Sequence, residues 1–226
     1  MELRTRIAHH SARIAVIGQG YVGLPLAVAF AQVGFPVTGV EVDLDRVETL
    51  NRGVSHIRDV ESDTLKELVT AGRYRATSAM EDLAESEAII ICVPTPLRKS
   101  KEPDISFVLA AAAGVKKYLR PGQLVILEST TYPGTTREKV LPLLESTGLK
   151  VGMDFFLAFS PERIDPGNQQ YKLPNTPKVV GGITPHCKDL AVILYSQIVK
   201  QVVSVSSAEA AELIASFLPA AAASSA

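Results

Sequence analysis

Residues 18–23 read Gly18-Gln19-Gly20-Tyr21-Val22-Gly23. Three glycines at this spacing suit a strand-to-helix turn whose bare backbone amides receive a phosphate. In such a turn Gly18 permits the sharp bend, Gly20 lets the backbone approach a pyrophosphate, and Gly23 lets the helix pack closely on its sheet. The pattern asks for an acidic residue about twenty positions on, and Glu41 stands there, at the end of the next apolar run, suited to accept hydrogen bonds from adenosine ribose hydroxyls. A carboxylate at that point repels a 2′-phosphate, which favours NAD over NADP. Tyr21 and Val22 within the turn join the cofactor-binding candidates, as do Asp43 and Arg46, which equally suit a solvated helix start.

The elements that must hold these residues follow from the apolar pattern. Arg13 to Ile17 is a short β-type run, and Leu24 to Val33 is helical and closed by Gly34. Val37 to Val40 is the next strand, and Leu44 to Asn51 a helix stopped before Gly53. Ala88 to Val93 is a continuous aliphatic run of the kind buried on both faces of a parallel sheet. Helices over Ser106–Leu119, Thr135–Leu144 and Cys187–Gln197 alternate with strands over Leu124–Leu127, Phe155–Phe159, Lys178–Val180 and Val202–Val205. The alternation predicts an α/β, Rossmann-like, doubly wound and mainly parallel sheet with helices on both faces. Only the proline-rich, polar stretch 160–177 breaks it, directly after a strand end, where ligands bind in such folds.

Bulk properties narrow the partners. A chain of 226 residues with 46% hydrophobic and 21% charged residues is expected to fold around a sizeable core. A net charge of -1 supplies no global field for nucleic acid or an anionic membrane, so an anionic ligand must be held by local groups. Cys92 and Cys187 have neither CxxC spacing nor a histidine pattern, which argues against a metal site and a disulfide framework and fits a cytoplasmic protein. No apolar run has the length of a signal peptide core or a membrane span.

Four strings carry a resemblance. They are Val16 to Pro25, Val93-Pro94-Thr95-Pro96, Glu128-Ser129-Thr130-Thr131-Tyr132-Pro133-Gly134-Thr135-Thr136, and Ser160-Pro161-Glu162-Arg163-Ile164-Asp165-Pro166-Gly167-Asn168, with Lys178 to Gly182 in the same order. From Arg13 to Ser207 the chain resembles the UDP-glucose/GDP-mannose dehydrogenase family, most of all its UDP-N-acetylglucosamine 6-dehydrogenase branch. The resemblance implies two successive hydride transfers to NAD that take a nucleotide-sugar primary alcohol through an aldehyde to a carboxylate, in polysaccharide biosynthesis. It implies that Thr130 organises the catalytic water or the reacting oxygen, and that Glu162 is the carboxylate of the thioester-hydrolysis region and touches substrate. It further implies that Pro94, Thr95, Ser129 and Thr130 line the nicotinamide and its ribose, and that Arg163 holds the nucleotide sugar.

The resemblance also sets expectations about organisation: an extension over 1–12, an NAD-binding domain over 13–207, and the truncated start of a central helix with an alanine and serine tail over 208–226. In the family that helix carries a lysine and an asparagine, where this chain has Ala215 and Pro219, and it forms a homodimer. The family's catalytic cysteine lies further downstream; neither Cys92, inside a buried strand, nor Cys187 is a substitute. The isolated chain is therefore expected to hold NAD without turnover. Two alternatives share its features: UDP-glucose 6-dehydrogenase, and a β-hydroxyacid dehydrogenase, which gives the 160–168 string no role.

Overall fold

A computed structural model describes residues 2–97, 103–162 and 175–217. Its centre is one eight-stranded sheet in the order β3-β2-β1-β4-β5-β6-β7-β8. The strands are β1 (Ile14–Ile17), β2 (Val37–Val40), β3 (Tyr74–Thr77), β4 (Ala88–Ile91), β5 (Leu124–Leu127), β6 (Phe156–Phe159), β7 (Lys178–Gly182) and β8 (Val202–Ser204). Strands β1, β4, β5 and β6 are buried along their whole length, which is why Ile-Ala-Val-Ile, Ala-Ile-Ile-Ile, Leu-Val-Ile-Leu and Phe-Leu-Ala-Phe show no polar alternation.

Alternate residues face two cores. Ile14, Val16 and Ile90 pack with α2 (Gly23–Gln32) and α7 (Pro185–Tyr195), whereas Ala15, Ile17 and Ile91 pack with α5 (Ser106–Tyr118) and α6 (Leu141–Glu145). Helices thus cover both faces, as the pattern predicts. The remaining helices are α1 (Leu3–Ala8), α3 (Leu44–Asn51), α4 (Ser62–Thr70) and α8 (Ala208–Phe217). Among the described residues no helix is long and apolar enough to cross a membrane.

Several details differ from the sequence pattern. Residues 3–8, assigned to an extension, form α1, whose Ile7 is completely buried against the core; His10 behind it bonds Gln197 at 2.9 Å. The stretch 54–87, unassigned by periodicity, supplies α4 and the edge strand β3. The helix expected over Thr135–Leu144 begins as a π-helical segment over Thr135–Val140 before α6. Pro142 donates no hydrogen bond, so a regular α-helical ladder cannot run through it. Helix α7 starts two residues early because Thr184 accepts the Cys187 amide and Pro185 occupies the first turn. Lastly, β7 runs antiparallel to β6, with Phe159 opposite Gly181. The expected tail over 220–226, with Pro219 before it, lies outside the described residues.

Candidate functional site

The parallel strands end together. Val40, Ile17, Ile91, Leu127 and Phe159 are register partners across β2, β1, β4, β5 and β6. One step beyond them, Glu41, Gly18, Cys92, Glu128 and Ser160 therefore form a row along the carboxyl edge of the sheet. Strand order reverses between β1 and β4, which is where this architecture opens a crevice for a ligand.

The glycine turn sits in that crevice. Gly18 has φ 90, and a Cβ there would lie 2.3 Å from the Cys92 carbonyl oxygen, so the turn rests directly on the end of β4. A Cβ on Gly23 would meet the Gly18 carbonyl oxygen at 1.7 Å, so only glycine lets α2 start this close to the strand. Gly20 differs: a Cβ there would meet nothing within 4 Å. The backbone at Gly20 faces open space, beside a helix start whose first amides lack intrahelical acceptors, an arrangement open to an anion. Tyr21 stands 58% exposed at its rim, and Val22 caps α2 beside it.

Glu41 is buried at the end of β2, and both of its oxygens are engaged. One accepts the amides of Val42 at 2.8 Å and Asp43 at 3.2 Å; the other accepts the Gln19 amide and an Arg46 N–H, each at 3.1 Å. Burial raises its pKa, but the Asp43 and Gln19 amides and the Arg46 charge outweigh that and hold the carboxyl below its usual range. Asp43 caps α3 by accepting the Arg46 amide at 3.2 Å. Since a carboxylate offers about four acceptor positions, a ribose hydroxyl would replace the Arg46 bond in order to reach Glu41. Arg46 thus occupies one acceptor position of Glu41.

Further along the row, the loops after β4 and β5 are tied by the Ser129 hydroxyl, which donates to the Val93 carbonyl at 2.9 Å. Thr130 and Pro94 are exposed and Thr95 is half-buried. Beside them is a buried ionic cluster. Lys178 ion-pairs with Glu128 and lies 3.8 Å from Glu162, and the Tyr195 hydroxyl donates to the other Glu128 oxygen. The reversal of β7 explains the placement of Lys178: an antiparallel strand begins at the edge where its parallel neighbours end. Burial pushes the Glu128 carboxyl up to about 7 against the pull of Lys178, and Glu162 pushes in the same direction. Burial opposes the charge on Lys178, yet Glu128 and Glu162 more than offset it and raise the ammonium pKa. Cys92 shares this interior, and burial, with Glu128 beside it, drives its thiol well above the ordinary range.

The structure thus brings Gly18, Gly20, Tyr21, Val22, Gly23, Glu41, Asp43, Arg46, Pro94, Thr95, Ser129, Thr130 and Glu162 to one edge of the sheet. Arg163 and the rest of its string to Asn168 lie outside the described residues. Cys187 is buried and accepts the Leu157 amide at 3.3 Å, a packing role. Sequence reasoning missed Gln19, which is fully buried and accepts a hydrogen bond from the Tyr74 hydroxyl at 2.9 Å, pinning the turn to β3. Nearby, burial and the Arg46 charge hold the His56 imidazole below its ordinary range. Glu128, Lys178 and Tyr195 were missed as well, although a charged residue at the end of an otherwise apolar strand was a usable signal for the first two.

Residues 12–199 match the NAD-binding domain of the UDP-glucose/GDP-mannose dehydrogenase family. UDP-N-acetyl-D-mannosamine dehydrogenase of Pyrococcus horikoshii is 41% identical over 204 residues, 89% of this chain and 48% of that protein. UDP-N-acetyl-D-glucosamine 6-dehydrogenase of Pseudomonas aeruginosa is 38% identical over 207 residues, with the same coverage. Among solved structures, NDP-N-acetyl-D-galactosaminuronic acid dehydrogenase from Methanosarcina mazei superimposes with a TM-score of 0.83 at 35% identity, over 95% of this chain and 48% of that one. The chain spans about half the length of the curated relatives it matches. With the turn, the acidic strand end and the switch-point crevice in place, the chain belongs to the UDP-glucose/GDP-mannose dehydrogenase family and carries its NAD-binding domain.

Proposed function

We propose that this chain supplies the NAD-binding domain of an enzyme that oxidises the C6 alcohol of a UDP-N-acetylhexosamine to the uronic acid. The observation that supports the reading is the row along the sheet edge, in which the open backbone face at Gly20 and the Glu162 carboxyl stand on either side of Ser129 and Thr130. The N-acetylhexosamine class is supported by the P. horikoshii and P. aeruginosa relatives, which are dehydrogenases of UDP-N-acetyl-D-mannosamine and UDP-N-acetyl-D-glucosamine. UDP-glucose is the second reading, from the breadth of the family description.

Bound NAD supplies the hydride acceptor. The residues of this chain do the rest of what the domain contributes. Amides at the turn hold the pyrophosphate and Glu41 grips the adenosine ribose. Pro94, Thr95 and Ser129 fix the nicotinamide and its ribose, so that hydride transfer has one geometry. Thr130 orients the reacting oxygen or water, and Glu162 takes a proton from that water. Lys178, paired with Glu128, keeps a positive charge close to Glu162. Arg163 is assigned to the nucleotide sugar, homodimerisation to the helix that α8 begins, and the setting to polysaccharide biosynthesis in the cytoplasm.

Two measurements test this. Calorimetry on the 226-residue chain should show NAD binding, abolished by a bulky residue at Gly20. The whole protein, given NAD with UDP-N-acetylglucosamine, UDP-N-acetylmannosamine, UDP-glucose or GDP-mannose in turn, should form NADH fastest, two per sugar, with one of the N-acetylhexosamines. A preference for UDP-glucose selects the second reading, and NADH formation with none of the four refutes both.

A further inference from the structure

Glu212 lies in the middle of α8 and is completely buried. One oxygen accepts the Gly134 amide at 2.6 Å; the other accepts the Thr136 amide at 2.8 Å and the Thr136 hydroxyl at 2.6 Å. A buried carboxylate is unfavourable without such donors. What the carboxylate adds is geometry, because three short bonds to both oxygens fix the Gly134–Thr136 turn against the helix. On the same seam Arg137 ion-pairs with Glu209, one turn earlier on α8.

The clamped turn is the far end of the connection that leaves β5 through Ser129 and Thr130. Ser129 in turn holds Val93, next to Pro94 and Thr95. One path of backbone and hydrogen bonds therefore runs from α8 to the loops that face the nicotinamide end of the row. The adenosine end, at Gly20, Glu41 and Arg46, is held separately through Gln19 and Tyr74.

We propose that Glu212 is a positioning residue for the nicotinamide half of the cofactor site, fixing Ser129 and Thr130 through the Gly134–Thr136 turn. The seating of α8 then sets affinity at that half and leaves the adenosine half alone. This rests on the reading above, in which Ser129 lines the nicotinamide.

The test is calorimetry on the full 226-residue chain with NAD and with ADP-ribose, which lacks the nicotinamide. For Glu212→Ala the NAD dissociation constant should rise about tenfold, the equivalent of about 1.4 kcal/mol, while that of ADP-ribose changes by less than about twofold. Glu212→Gln, which keeps one acceptor oxygen of two, should fall between and serves as the deciding variant where the alanine form does not fold. Equal weakening of both ligands shows a structural role only and overturns the proposal, as does no change in either. Ser129→Ala is the control: its ratio of NAD to ADP-ribose affinity should fall. An unchanged ratio there overturns the nicotinamide reading and the proposal with it, whereas a changed ratio beside a silent Glu212→Ala overturns the proposal alone.

Discussion

Two glycines of one turn should fail in opposite ways. A Cβ at Gly23 would lie 1.7 Å from the carbonyl oxygen and 2.9 Å from the carbonyl carbon of Gly18, both backbone atoms that cannot rotate away. Gly23→Ala must lever α2 off the turn. Overpacking of this kind costs about 1–3 kcal/mol, and a chain of this length loses about 2–4 °C of Tm per kcal/mol, so a fall of about 2–12 °C is expected. At Gly20 the same addition meets nothing within 4 Å. Gly20→Val should therefore leave Tm within about 2 °C of the parent, as open-surface substitutions do. It nevertheless fills the face that a pyrophosphate needs. Loss of even one or two charge-assisted bonds, each about 1.5–3 kcal/mol, raises the dissociation constant by about tenfold or more. Scanning calorimetry without ligand gives the first quantity and isothermal titration with NAD the second. If Gly20→Val binds NAD as tightly as the parent, or melts as early as Gly23→Ala, the assignment of the open face to the cofactor is wrong.

Three further outcomes follow from the site. Burial raises the Glu128 carboxyl from 4.5 to about 7 against the pull of Lys178, so across that interval the folded chain binds more protons at this cluster than the unfolded chain does. Its contribution to stability is therefore present below pH 4.5 and declines as pH rises through about 7; urea titrations should show this slope and Glu128→Gln should flatten it, and equal slopes in the two proteins count against the assignment. Removing the cap of α3 with Asp43→Ala should lower stability by about 1 kcal/mol, read as a shift in urea midpoint, and an unchanged midpoint would deny the cap a role. NADP should bind at least about tenfold more weakly than NAD, because the ionised Glu41 faces its 2′-phosphate, and equal affinities by calorimetry would remove Glu41 from the ribose site.

The fold was readable where burial is two-sided and local. Runs such as Ile89-Ile90-Ile91 and Leu124-Val125-Ile126-Leu127 declare a covered parallel strand without help from partners. Strand β3 hides its nature because it is an edge, with Arg75 exposed between the buried Tyr74 and Ala76, and α4 buries only Leu65 completely. The direction of β7 could not be read either, since five residues look the same in both senses. Site residues divide along the same line. Gly18, Gly20, Gly23 and Glu41 act through a motif contiguous enough to see. Glu128, Lys178 and Tyr195 matter only because chain segments 50 and 67 positions from Glu128 converge on it, and no local pattern encodes that meeting.

The reversal of β7 bears on how Glu162 and Lys178 come together. Successive parallel strands require a crossover that returns the chain to the opposite edge of the sheet, usually a helix whose length and apolar face are dictated by the core. An antiparallel neighbour needs no return trip, so the end of β6 and the start of β7 lie at the same edge of the sheet, and Glu162 and Lys178 meet there without a crossover helix to bring them together.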